Sequence, residues 1–89
     1  MQYQLYKAAG IIIRDRKLLV TRSRGKEWFI APGGKVEPEE TVVQALRREL
    51  KEELNLNITQ ASPFGTYYAP AAGNESQILR MDVFMVQTD

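Results

Sequence analysis

The stretch from Pro32 to Leu56, PGGKVEPEETVVQALRRELKEELNL, restricts what this chain can become more than any other. It opens on a Pro-Gly-Gly turn, where the two glycines permit positive φ and a close approach of backbone to ligand, or simply a tight turn. Val42, Val43, Leu46, Leu50 and Leu54 then recur at helical spacing and form one apolar stripe. Glu49, Glu52 and Glu53 stand at i, i+3 and i+4, so at about 100° per residue they share a sector of roughly 100°. That sector is centred about a quarter turn from the apolar stripe. Thr41-Val42-Val43-Gln44 predicts a capping box at the helix start, and Asn55 closes the helix.

The acid cluster opposes its own folding. Two unit charges about 6 Å apart repel by roughly 3 kcal/mol at an effective dielectric of 20. Oxygen ligands of this kind suit a hard divalent cation such as Mg²⁺, which takes a few carboxylates, some waters and the phosphates of a substrate. The same residues also read as a solvated helix face, with Arg48 and Glu52 paired at i,i+4 for about 0.3–0.5 kcal/mol.

The residues around the cluster go further. The stretch resembles the Nudix hydrolase signature, G-x5-E-x7-R-E-U-x-E-E-x-G-U, with U a bulky aliphatic residue. Gly34 matches the first Gly, Glu40 the first Glu, Arg48-Glu49 the R-E pair, Leu50 the first U, Glu52-Glu53 the E-E pair and Leu56 the last U. Average residue usage gives such a match at fewer than about one start in ten million. Asn55 stands where the family has its second Gly. The position follows the helix, where the chain turns left-handed, and Asn substitutes best for Gly there, at a small cost in stability.

The resemblance implies an α/β fold, a Nudix-type α/β/α sandwich with a mixed sheet. It implies hydrolysis of a nucleoside diphosphate linked to another group, with Mg²⁺ as cofactor and Mn²⁺ as substitute. Glu49, Glu52 and Glu53 would hold the metal, with Glu40 and Gly34 supporting it. Glu49 or Glu52 would orient or deprotonate the attacking water, and Arg48 would brace the glutamates through ion pairs. Glu40 also has a simpler reading, as a negative charge favoured near a helix N-terminus. A Nudix module that holds a nucleotide without cleaving it, or an inactive fragment, fits the same motif.

The chain has 89 residues, which suits one domain over 1–89. Net charge is +1, so no broad attraction to a nucleic acid polymer or a membrane is expected. Cysteine and histidine are both absent, which excludes disulfides, thiolate chemistry, histidine ligands and Ser-His-Asp triads. Carboxylates remain for acid–base work. No apolar run approaches transmembrane length and no signal-peptide pattern opens the chain, so a cytoplasmic enzyme is expected.

Before the motif, Met1 to Arg14 reads as a strand with the Ile11-Ile12-Ile13 run buried on both faces. Arg14-Asp15-Arg16 reads as a hairpin turn, Lys17–Ser23 as the returning strand and Trp28–Ile30 as a short strand. After the motif, strands are expected from about Leu56, over Pro63–Ala69 and over Gln77–Gln87, with a loop at Pro70–Ser76. For substrate phosphates, Lys35 is best placed beside Gly33 and Gly34, then Arg22, then Arg24 and Lys26; each also reads as a solvated surface charge. Trp28 and Phe29 suit stacking on a base or packing in the core.

Domains of the family are usually longer and add strands and a second major helix beyond this point. A fold lacking those C-terminal elements is therefore expected, as a fragment, as a short chain covered by a partner subunit, or as a minimal fold with an exposed sheet. An uncovered apolar face is an association site, so a homodimer or larger assembly is expected, acting on a small-molecule nucleotide.

Overall fold

A computed structural model of the chain describes residues 2–22, 30–71 and 73–89. Strand β1 (Leu5–Ile11) is followed by the short pair β2 (Ile13–Arg14) and β3 (Lys17–Leu18). Strand β4 (Gly33–Lys35) leads to helix α1 (Val42–Leu54), and two long strands, β5 (Ile58–Ala71) and β6 (Asn74–Thr88), complete the fold. The main sheet is mixed, with four strands in the order β4-β1-β6-β5. β1 and β6 run parallel; β4 pairs with β1, and β5 with β6, antiparallel.

Helix α1 forms where its local signals put it. The Thr41 hydroxyl accepts from the Gln44 amide at 3.1 Å, and the Gln44 side chain accepts from the Thr41 amide at 2.8 Å. Asn55 ends the helix in the left-handed region at φ 54°. Ala45, Leu46 and Leu50 are fully buried, and half-buried Val42, Val43 and Leu54 complete the apolar stripe. This stripe packs on Ala8, Ile12, Ile58, Phe84 and Val86. All the helical cover found among the described residues lies on this one face. The second helical layer of the expected sandwich is not among them.

Three expectations need correction. The isoleucine run is not buried on both faces: Ile12 is buried, Ile11 half-buried and Ile13 is 55% exposed. The chain leaves the main sheet after Ile11, and Ile13 belongs to the separate β2–β3 ribbon, which turns at Asp15 and Arg16 with positive φ at both positions. The returning strand is not continuous to Ser23. It stops at Leu18, and Thr21 pairs again only through a single bridge to Ile30. The rest of the expected Trp28–Ile30 strand, with Arg24 and Lys26, lies outside the described residues.

The loop expected over Pro70–Ser76 is instead the tip of a hairpin whose arms pair as far as Ala71 and Asn74. Small and proline residues suggested a loop, but β5 is the edge of the sheet, where a proline need not interrupt a ladder on its outer side. Shifts of register accompany Pro63 and Pro70. On β6, Leu79, Met81, Val83 and Met85 share the face opposite α1, while Phe84 and Val86 enter the core.

Candidate active site

Strand β4 brings the glycine turn against the helix. Gly33 has φ +148°, and a Cβ there would lie 2.0 Å from the Ala8 carbonyl oxygen, so only glycine fits. A Cβ on Gly34 would lie 2.4 Å from the Glu49 carboxyl carbon and 2.6 and 2.8 Å from its oxygens. The glycine turn therefore presses its bare backbone on the first acid of the cluster. Pairing of Ala8 with Gly34 and of Ala9 with Gly33, and a 2.8 Å bond from the Gly10 amide to the Pro32 carbonyl, hold the turn there.

Arg48 organises the acids. Its Nε donates to Glu40 Oε2 at 2.7 Å and its Nη2 to Glu40 Oε1 at 2.9 Å, a two-pronged pair. Nη2 also donates to the Lys35 carbonyl at 3.1 Å, which ties helix to β4. Nη1 donates to Glu49 Oε1 at 2.8 Å and lies 3.5 Å from Glu52 Oε2. The Arg48 bonds, and then the Glu37 amide, hold the Glu40 carboxyl down at about 2. The same bonds to Glu40 and Glu49 raise Arg48 above its ordinary value, so it stays charged.

Glu53 is the contrasting acid. Burial first, then the charge of Glu49, push its carboxyl up; the Gly33 amide, which donates to it, works the other way, and Glu52 adds a further push upward. Glu52 is exposed, with a side chain 61% accessible against 19% for Glu49. Among the described residues no three of these carboxylates converge on one point. Arg48 Nη1 instead lies between Glu49 and Glu52, in contact with both. The donor chemistry nevertheless fits a hard divalent ion, since it is all carboxylate oxygen and carries mutual repulsion that a cation would relieve.

Of the other residues singled out by sequence, Lys35 is exposed at the end of β4, one residue beyond Gly34, and Arg22 is exposed after the Thr21 bridge. Trp28 and Phe29 lie outside the described residues. A groove of about 490 Å³ lined by Ile12, Leu18, Leu19, Leu54 and Leu56 contains none of the signature carboxylates.

Sequence reasoning missed a polar cluster on the helix side of the sheet. Asp82, 9% exposed, accepts from the Tyr6 hydroxyl at 2.5 Å, the Thr66 hydroxyl at 2.9 Å, and Arg80 Nε and Nη2 at 3.1 and 3.2 Å. The Arg80 guanidinium also lies over the rings of Tyr3 and Tyr6, at 5.3 and 4.8 Å. The available signal was two charges, Arg80 and Asp82, on the strand face that also carries Phe84 and Val86.

Comparison with known proteins agrees with this geometry. The sequence profile of the NUDIX domain matches residues 5–87. The chain is 39% identical over 77 residues to an ADP-ribose pyrophosphatase of Methanocaldococcus jannaschii, spanning 78% of this chain and 46% of that protein. It is 42% identical over 53 residues to an 8-oxo-dGTP diphosphatase of Buchnera aphidicola, spanning 55% and 41% respectively. The chain thus matches less than half the length of either relative. A NUDIX hydrolase structure from Nitrosomonas europaea superposes with a TM-score of 0.82 at 25% identity, over 96% of this chain and 59% of that one.

Proposed function

The chain belongs to the NUDIX domain family, and on that footing we propose that it is a metal-dependent pyrophosphohydrolase cleaving the P–O–P linkage of a nucleoside diphosphate bonded to another group. The observation that carries this reading is the contact of the bare Gly34 backbone with Glu49, with Arg48 binding Glu40 and Glu49 behind it. A plain tight turn has no need to leave room for a carboxylate. The relatives act on unlike nucleotides by their names, and what those nucleotides share is the diphosphate linkage.

In this reading Glu49, Glu52 and Glu53 would hold a divalent ion, Mg²⁺ by preference and Mn²⁺ as substitute. The bound ion would neutralise diphosphate oxygens and sharpen a water as nucleophile. Glu49 or Glu52 would take the proton of the attacking water, and the bridging oxygen would leave with the electron pair on the other phosphate. Arg48 sets the rotamer of Glu49 and keeps Glu40 ionised. The Gly33 and Gly34 backbone lets the phosphates come close, with Lys35 and Arg22 as cationic contacts. A second copy over the open sheet face would make the enzyme a homo-oligomer, which sedimentation of the purified chain would reveal; a cytoplasmic location is part of the same proposal.

The test is turnover against nucleoside triphosphates and diphosphate-linked nucleotides, with Mg²⁺ and with chelator. Wild type is expected to turn over only with the ion, and Glu53→Gln to lose about a hundredfold or more while remaining folded. Wild-type rates in Glu53→Gln, or turnover indifferent to chelator, would refute the assignment.

A further inference from the structure

We propose that the outer edge of β5 pairs with the same edge of a second copy of this chain, antiparallel about a two-fold axis at Tyr67, so that the two sheets become one. This goes beyond the hydrolase reading and does not rest on it. β5 is the last strand of the sheet, and among the described residues no strand pairs with its outer side. Native sheets guard such an edge with lysines or other charges, or keep it short. Here none of the 14 residues of β5, ITQASPFGTYYAPA, carries a charge, although 26% of the whole chain is charged. Phe64, Tyr67 and Tyr68 are all exposed along it.

Backbone directions fix the register. Ile78 turns its backbone toward the N-terminal segment: the Gln4 N–H donates to its carbonyl at 3.0 Å, and its own N–H donates to the Gln4 side-chain oxygen at 2.8 Å. Pro70 is the antiparallel partner of Ile78, so its backbone turns the other way, to the open edge, where a proline leaves no ladder bond unmade. The register runs unbroken from Gly65 to Pro70, and direction alternates along a strand. Tyr68 and Thr66 therefore also present their N–H and C=O groups outward. Against the same segment of a second copy, Thr66 of each copy lies opposite Tyr68 of the other, and each such pair exchanges both its N–H···O bonds. Tyr67 then meets Tyr67 on the axis. Pro63 and Pro70 bound the paired stretch on either side. A charge-free segment suits its own copy, because no like charges are brought opposite one another. The Tyr67 ring does not block the approach. It lies along its own strand, with its hydroxyl 2.7 Å from where a Cβ on Gly65 would stand.

The chain has no cysteine, so single-cysteine variants report the register directly. Tyr67→Cys puts two thiols opposite each other at the axis, with Cβ atoms about 4.5–5.5 Å apart, which a small shift brings within disulfide reach. Ala69→Cys, on the same face, keeps its thiols about 13 Å apart along the strands. Mild oxidation and non-reducing denaturing electrophoresis should give a covalent dimer with Tyr67→Cys and about tenfold less with Ala69→Cys. Sedimentation of the unmodified chain over a range of concentrations should show the dimer. Tyr68→Pro removes the outward N–H and leaves the ladder to β6 intact, so it should weaken association about tenfold or more with the circular dichroism spectrum retained. Met85→Lys, on the sheet face opposite α1, should leave association within about twofold of wild type. Should Tyr68→Pro fail to fold, the cysteine comparison decides alone. A monomer at every concentration, or equal cross-linking of the two cysteine variants, would overturn the proposal. So would a dimer lost in Met85→Lys and kept in Tyr68→Pro, which would put the second copy on the sheet face instead.

Discussion

Asp82→Asn tests the polar cluster that closes one end of the core. Asp82 Oδ1 accepts from Thr66 and Arg80 Nε, and Oδ2 from Tyr6 and Arg80 Nη2. An asparagine amide has one acceptor oxygen and one NH₂. Whichever way it is turned, the NH₂ faces one hydroxyl, which can rotate to accept, and one Arg80 N–H, which cannot. The variant therefore loses one bond to a charged group outright and the charge assistance of the other, each worth about 1.5–3 kcal/mol at full strength. The Arg80 side chain is 28% exposed and can turn partly to water, so the expected loss is discounted to about 2–3 kcal/mol. Urea denaturation followed by circular dichroism should show a lower midpoint at unchanged slope. A change below about 0.5 kcal/mol would refute the argument that this carboxylate organises its neighbours.

The pH dependence gives the same test a sign. Burial works to raise the Asp82 carboxyl, but bonds from Tyr6, Arg80 and Thr66 outweigh it and hold it below the ordinary range. Its stabilisation is therefore present above about pH 4, the unfolded value, and is lost as pH falls through the lower folded value. Asp82→Asn should flatten that acid limb of the stability curve. Burial, and then the bond to Asp82, push the Tyr6 hydroxyl up to about 12. Its contribution is present below about pH 10 and is lost as pH rises through about 12.

Two further changes address the site and its helix. Gly34→Ala puts a methyl where the Glu49 carboxyl stands, so metal-dependent turnover should fall by about tenfold or more with the circular dichroism spectrum retained; unchanged turnover would show that Glu49 has room to move without consequence. Thr41→Ala removes the cap to the Gln44 amide and should cost about 1 kcal/mol by urea midpoint, with Thr41→Ser restoring most of it.

The helix and its chemistry were legible in the sequence because they depend on residues three to eight apart. Thr41 and Gln44 close the capping box at the N-terminus, Asn55 ends the helix with positive φ, and Arg48 reaches back to Glu40 along the same short stretch. The family signature lies within that range as well, and Gly34 was singled out by it although the reason for glycine, the press of Glu49, needed coordinates. The strands were legible as to existence and less so as to extent. Pro63, Pro70 and the small residues near Ala71 suggested a shorter β5, and only its place at the sheet edge explains why they are accommodated.

Hydrophobic periodicity, capping residues and acid spacing, all local, thus determined by themselves the helix, its polarity and the acids it presents. Which strand lies beside which was decided by the tertiary structure alone, because pairing joins residues far apart in sequence. Asp82 meets Tyr6 across 76 positions, and Lys7 stands opposite Lys35 only in the register of β1 with β4. A one-residue slip in that register would move Lys35 to the other face and break the pair, and no local pattern in either segment records the alignment.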